Sequence, residues 1–141
     1  MDRVQDSLPL WLPSAGQGVQ VVPCHRWFDA VRVPGFVGVR VVALLRRAQL
    51  EGAVIEDQVG DSLTWLVRVG AADGWDAFGA EVLGAGQSVA VPPARFVAGA
   101  FTGGAGLRWL IAPSGVCLAE PGALRAAVRG AFWEVRRGRT A

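Results

Sequence analysis

With 141 residues, 52% of them hydrophobic and 18% charged, the chain has the size and make-up of one globular domain and not of a disordered segment. It has no Lys, Asn or Tyr and takes all 14 basic side chains from Arg, which excludes Schiff-base and P-loop lysine chemistry. The net charge of +2 is uneven: residues 121–141 hold five Arg against Glu134, a local +4, whereas the remainder holds nine Arg against eleven acids, −2.

Residues 1–17 read as a flexible leader that ends in Ser14-Ala-Gly-Gln-Gly18, with Trp11 as an anchor. Asp2, Asp6, Pro9 and Pro13 break its apolar run, so it is not a signal peptide. The alternating, β-branched runs Gly18 to Val22 and Phe28 to Val33 predict two strands separated by Pro23-Cys24-His25-Arg26. Val37, Val41, Leu44, Leu45 and Ala48 then predict a helix over Gly35 to Glu51, with Gly52 closing it. Arg40 and Arg46 interrupt this stretch, the best candidate for a membrane span, so a cytoplasmic protein is expected.

Val54 to Glu56 and Leu63 to Val69 read as strands joined by an acidic turn. Gly70 to Phe78 is expected to be a loop or short helical turn carrying Trp75. Glu81 to Leu83 and Ser88 to Val91 are short strands, Ala94 to Gly106 a long Gly- and Ala-rich loop, and Leu107 to Ala112 another strand. Pro121 opens a last helix with an apolar stripe of Leu124, Ala127, Val128, Ala131, Phe132 and Val135. The order β-β-α-β-β-β-β-β-α predicts an α+β domain over residues 18–137, an antiparallel or mixed sheet covered on one face, followed by a tail at 138–141.

Chemistry-bearing residues do not assemble into a set. His25 is the only histidine, and Cys24, its neighbour along the chain, points elsewhere if both lie on a strand. Cys24, His25 and Cys117 lack metal-ligand spacing, and two cysteines make no disulfide framework. Glu56, Asp57 and Asp61 fit an acidic hairpin turn better than a cation site. Gly84-Ala85-Gly86 and Gly103-Gly104-Ala105-Gly106 lack the GK[ST] or GxGxxG pattern of a phosphate loop. Neither a cofactor nor a metal is expected.

The last helix offers more. Arg125, Arg129, Trp133 and Arg136 fall at i, i+4, i+8 and i+11 on the face away from its apolar stripe. Arginines around an indole suit a protein partner, or the phosphates and bases of a nucleic acid.

Several segments together resemble a known family: Trp27-Phe-Asp-Ala-Val-Arg-Val-Pro34, the helix over Gly38 to Leu45, Ala53-Val-Ile-Glu-Asp57, Leu63-Thr-Trp-Leu-Val67, Leu83-Gly-Ala-Gly-Gln-Ser-Val-Ala-Val-Pro-Pro93 and Leu107-Arg-Trp-Leu110. In this order they look like the small bacterial primase-polymerase domain, the N-terminal domain of bifunctional DNA primase/polymerases, over roughly residues 20–130. The resemblance implies an RRM-like core. It also implies two-metal nucleotidyl transfer, for which carboxylates hold the divalent ions.

The positions that match that machinery have changed. Arg32 and Pro34 stand where the first acids belong, and Asp29 comes three residues too early. The family's histidine falls near Thr64 or Trp65, and the third acid near Glu81, the one survivor. The resemblance therefore implies a degenerate, non-catalytic scaffold that serves as a protein-interaction or regulatory module. The alternative is an inactive module that binds nucleic acid or nucleotide through arginines, with Arg32 meeting phosphate and Arg108 and Trp109 nearby. An unknown protein is the expected partner and nucleic acid the alternative. Six Trp are compatible with a homodimer, although no specific pattern marks one.

Overall fold

The computed structural model describes residues 9–75, 79–97, 99, 104–114 and 117–140. The start of the leader, the end of the Trp75 loop and much of the Ala94 to Gly106 loop, Gly103 included, lie outside the described residues. The elements are β1 (Gln20–Pro23), β2 (Asp29–Pro34), α1 (Gly35–Arg47), β3 (Val54–Asp57), β4 (Ser62–Val67), β5 (Glu81–Leu83), β6 (Ser88–Val91), β7 (Leu107–Ile111) and α2 (Pro121–Thr140). Their order is the predicted one, and the domain is α+β.

Five strands form an antiparallel sheet in the order β5-β2-β4-β3-β7, and β1 pairs with β6 as a separate two-stranded ribbon. Side chains alternate across the sheet, so one face takes Val31, Val33, Leu63, Trp65 and Val67 and the other Ala30, Thr64 and Leu66. Both helices cover the first face, where Val37, Val41 and Leu45 of α1 and Leu124, Val128 and Ala131 of α2 join the sheet residues in one core. At Gly38 an added Cβ would lie 2.6 Å from Leu63 Cδ1, so only glycine lets α1 approach β4 this closely.

The second face is covered too, contrary to the expected one-sided layer. Val22 of β1 and Val89 and Val91 of β6 pack with Phe28, Ile55, Leu66 and Trp109 in a second core. The edge of Trp11 meets Phe28 with ring centroids 5.0 Å apart, and Arg95 Nη1 donates to the carbonyls of Ala15 (2.6 Å) and Gln17 (2.9 Å). The described part of the leader is thus tied across the ribbon by an aromatic contact and two charged hydrogen bonds.

Several ends differ from expectation by one to four residues, and α2 runs to Thr140 where a tail was expected from 138; two of the stops have a local cause. α1 stops at Arg47, with Ala48 as C-cap, because Gln49 turns left-handed (φ 59°), donating to Arg46 O (3.0 Å) while Leu50 N donates to Leu45 O (2.9 Å). Gly52 does not close the helix; a Cβ there would lie 3.1 Å from Ala119 Cα, which explains its glycine by packing. β4 ends at Val67 because Arg68 already accepts a turn hydrogen bond from Ala71 N (3.0 Å). α2 starts where Pro121 predicts it, with the Glu120 carboxylate accepting from the N–H groups of Gly122 (3.2 Å) and Ala123 (2.5 Å).

Candidate interaction surface

α2 places its two kinds of side chain by helical geometry. Leu124, Ala127, Val128 and Ala131 are buried, and Phe132 and Val135 are half-buried at the margin of that stripe. The remaining circumference carries Arg125, Arg129, Trp133 and Arg136, all exposed. Trp133 is 61% exposed, unusual for the largest apolar side chain. Arg129, Gly130, Phe132, Trp133 and Arg136 together line a groove of about 510 Å³. Gly130 supplies no side chain and so leaves the notch open beside the two aromatic rings. Arg125 is exposed one turn further toward the N-terminus and is not part of this lining.

The two sides of α2 are held differently. On one, Glu134 pairs with Arg40 of α1 at 3.5 Å, an exposed contact at the rim of the antiparallel helix pair. On the other, Phe132 is packed against Gly79 so closely that a Cβ there would lie 3.0 Å from its ring. Gly79 has φ 94°, so the chain reaches the ring in a conformation that other residues disfavour. The described part of the leader lies away from Trp133, since Trp11 is engaged with Phe28 in the second core.

The second group of sequence-predicted residues is split by the sheet register. Arg32 is opposite Glu81 on one side and Thr64 on the other, and all three share a face. Arg32 Nη1 donates to Glu81 Oε1 at 3.2 Å and its Nε lies 3.4 Å from Thr64 Oγ1, beside a shallow hollow of about 230 Å³. Trp109 occupies the same row beyond Ile55, but its indole is buried and donates to Pro92 O at 2.9 Å. Arg108 faces the other way. It pairs with Glu56 at 2.7 Å, and Glu56 is opposite Leu63 and through it Val33, on the helix face.

The acidic turn is likewise occupied by local structure. Asp57 Oδ1 accepts from Val59 N (3.0 Å) and Gly60 N (2.8 Å), and the carbonyl of Asp61 accepts from Gly35 N (2.8 Å) at the start of α1. The Asp61 carboxylate lies against Gly35 in the same place, near enough that a Cβ on that glycine would overlap Oδ1. An anion beside the exposed N–H groups of a helix start is favourable. The turn therefore caps α1, which has no side-chain cap of its own.

Cys24 and His25 lie in the turn after β1 and not side by side on a strand; His25 has φ 72°. Its Nδ1 lies 3.5 Å from Oδ2 of buried Asp29, which also accepts from Gly70 N at 2.9 Å. This carboxylate, which the sequence places three residues too early for the family's first acid, anchors the two turns at one end of the sheet. Cys24 is unsuited to nucleophilic work: burial, with Asp29 nearby, pushes its thiol up to about 11. Burial also raises the Cys117 thiol, against a hydrogen bond to Ser114. Among the described residues no cluster of three or more His, Cys, Asp or Glu is arranged to hold a metal ion, and no helix is long and apolar enough to cross a membrane.

The α2 groove thus brings Arg129, Trp133 and Arg136 to one opening, while Glu56, Asp57 and Asp61 line a separate hollow of about 570 Å³ beside Phe36 and Val39 of α1. No family model matches the chain, and no curated protein or solved structure is significantly similar to it.

Proposed function

We propose that this chain is a non-catalytic interaction module on a primase-polymerase-like scaffold, and that it docks a protein partner through the groove of Arg129, Phe132, Trp133 and Arg136. The observation that carries this reading is the 61% exposure of Trp133 in a groove flanked by arginines, on a helix whose other side is fully engaged. Trp and Arg are the residues that most often dominate protein interfaces, since each combines a large apolar contact with directional hydrogen bonding. The Arg32–Glu81 ion pair supports the non-catalytic part. It occupies the positions that the resemblance assigns to metal-binding acids, and it pairs Glu81, the acid that the resemblance retains, with a guanidinium.

A protein is favoured over a nucleic acid by the charge layout. Outside α2, four of the eight described arginines, Arg32, Arg40, Arg46 and Arg108, are each paired with an acid, which reduces the positive charge that could extend the basic face of α2. The test is fluorescence anisotropy of labelled single-stranded DNA, duplex DNA and RNA at two salt concentrations, with wild type and an Arg125→Glu/Arg129→Glu variant. Flat traces at low salt are expected. Micromolar binding that weakens steeply with salt and vanishes in the variant would overturn the protein-docking reading in favour of nucleic acid.

A further inference from the structure

The β3–β4 turn is the counterpart of the α2 groove in shape and charge. Val59 at its tip is 88% exposed, and Asp57 and Asp61 flank it. The groove presents two aromatic rings between Arg129 and Arg136. An apolar knob between two carboxylates thus has its counterpart, on another part of the same molecular surface, in an apolar notch between two guanidinium groups. We propose that the groove of one chain receives the β3–β4 turn of a second copy of the chain. This rests on the reading of the groove as a protein-docking site and names its occupant.

Three features support this occupant. The turn is preformed: the Asp57 carboxylate holds the N–H groups of Val59 and Gly60, and Asp61 is fastened to the start of α1, so little freedom is lost on docking. The described lining of the groove is α2 alone, so the turn of the same chain does not fill it. Finally, α1 and α2 run antiparallel, with Arg40 at Glu134 and Leu44 beside Gly130. The C-terminal half of α2 and the turn that caps α1 therefore lie toward the same end of the domain. Two copies related by a two-fold axis then make the turn–groove contact twice, which closes a dimer and not an open chain.

The contact is small, and a weak, micromolar association follows from its size. Sedimentation velocity of the full chain, up to about 0.5 mM protein, measures it directly. The expected result is a monomer–dimer equilibrium that is weakened at about 0.5 M NaCl, where surface charges are screened. Val59→Arg and Arg136→Asp each change an exposed side chain, and each variant alone is expected to remain monomeric with an unchanged circular-dichroism spectrum. An equimolar mixture of the two is expected to regain association, because the arginine-tipped turn then meets an acidic groove. A wild type that stays monomeric throughout the range overturns the proposal, and so does association that persists undiminished in both variants. Failure here leaves the wider docking reading standing, since that reading falls on other results, salt-sensitive nucleic-acid binding or an indole that proves structural.

Discussion

Arg32 and Glu81 face each other across the β2–β5 pair, with Nη1 and Oε1 3.2 Å apart and the Thr64 hydroxyl 3.4 Å from Nε on the opposite side. A guanidinium with one carboxylate and one hydroxyl within reach has two of its donors engaged. The register imposes this meeting, because residues directly opposite in an antiparallel pair share a face.

The pair is a partly exposed contact, with Arg32 at 35% and Glu81 at 55%, so solvent screens most of its attraction. Replacing Glu81 with Gln is expected to lower stability by less than about 1 kcal/mol, read as the urea midpoint. Nucleotide turnover with Mn²⁺ is expected at background for wild type and for Glu81→Ala alike. Turnover by wild type that Glu81→Ala abolishes would sink the non-catalytic reading.

Trp133 and Leu124 stand on opposite sides of α2 and are expected to respond oppositely. Trp133→Ala removes a mostly exposed ring and is expected to change stability by no more than about 1 kcal/mol. Leu124→Ala empties a fully buried site and is expected to cost about 2–5 kcal/mol. Thermal or urea unfolding of the two variants checks this. A loss at Trp133 as large as that at Leu124 would mean the indole is structural.

Gln49 closes α1 in the left-handed region, where a Cβ is unfavourable. Gln49→Gly is expected to stabilise the domain by about 0.5–1 kcal/mol, seen as a higher melting temperature. A lower one would show that the side chain contributes more than the backbone conformation costs.

The Cys24 thiol titrates at about 11 in the folded chain, against 9.0 for an ordinary thiol. The folded state therefore holds its proton over a range in which the unfolded chain has lost it. The sign follows: this contribution is intact below pH 9.0, and stability falls as pH rises from there toward about 11. Urea midpoints between these limits are expected to decline more steeply for wild type than for Cys24→Ala. Alkylation of the native thiol near neutral pH is expected to be slow compared with the unfolded chain, and equal rates would contradict the burial.

Much of the local structure was legible because it rests on short-range rules. The β-branched runs around Val31 and Val33 and from Leu63 to Val67 marked strands, and Pro121 with the stripe from Leu124 to Val135 marked α2. The end of α1 was misplaced because Gly52 is the more obvious stop; its glycine serves contact with Ala119, a neighbour remote in sequence. The Arg129–Trp133–Arg136 surface was legible for the same reason as the stripe: helical periodicity separates two faces before any tertiary contact exists.

The sequence by itself determined the α+β class, the order of nine elements and the presence of a cationic, aromatic face on the last helix, all of them consequences of periodicity, turn chemistry and capping. Only the tertiary structure decided what those elements meet. Strand order and register set Arg32 against Glu81 and turned Arg108 to the opposite face, toward Glu56. The β1–β6 ribbon covered the second face of the sheet, and the leader brought Trp11 to Phe28, leaving Trp133 exposed. Pairings between distant strands depend on which apolar surfaces can be buried together, and that is a property of the whole chain that no local window contains.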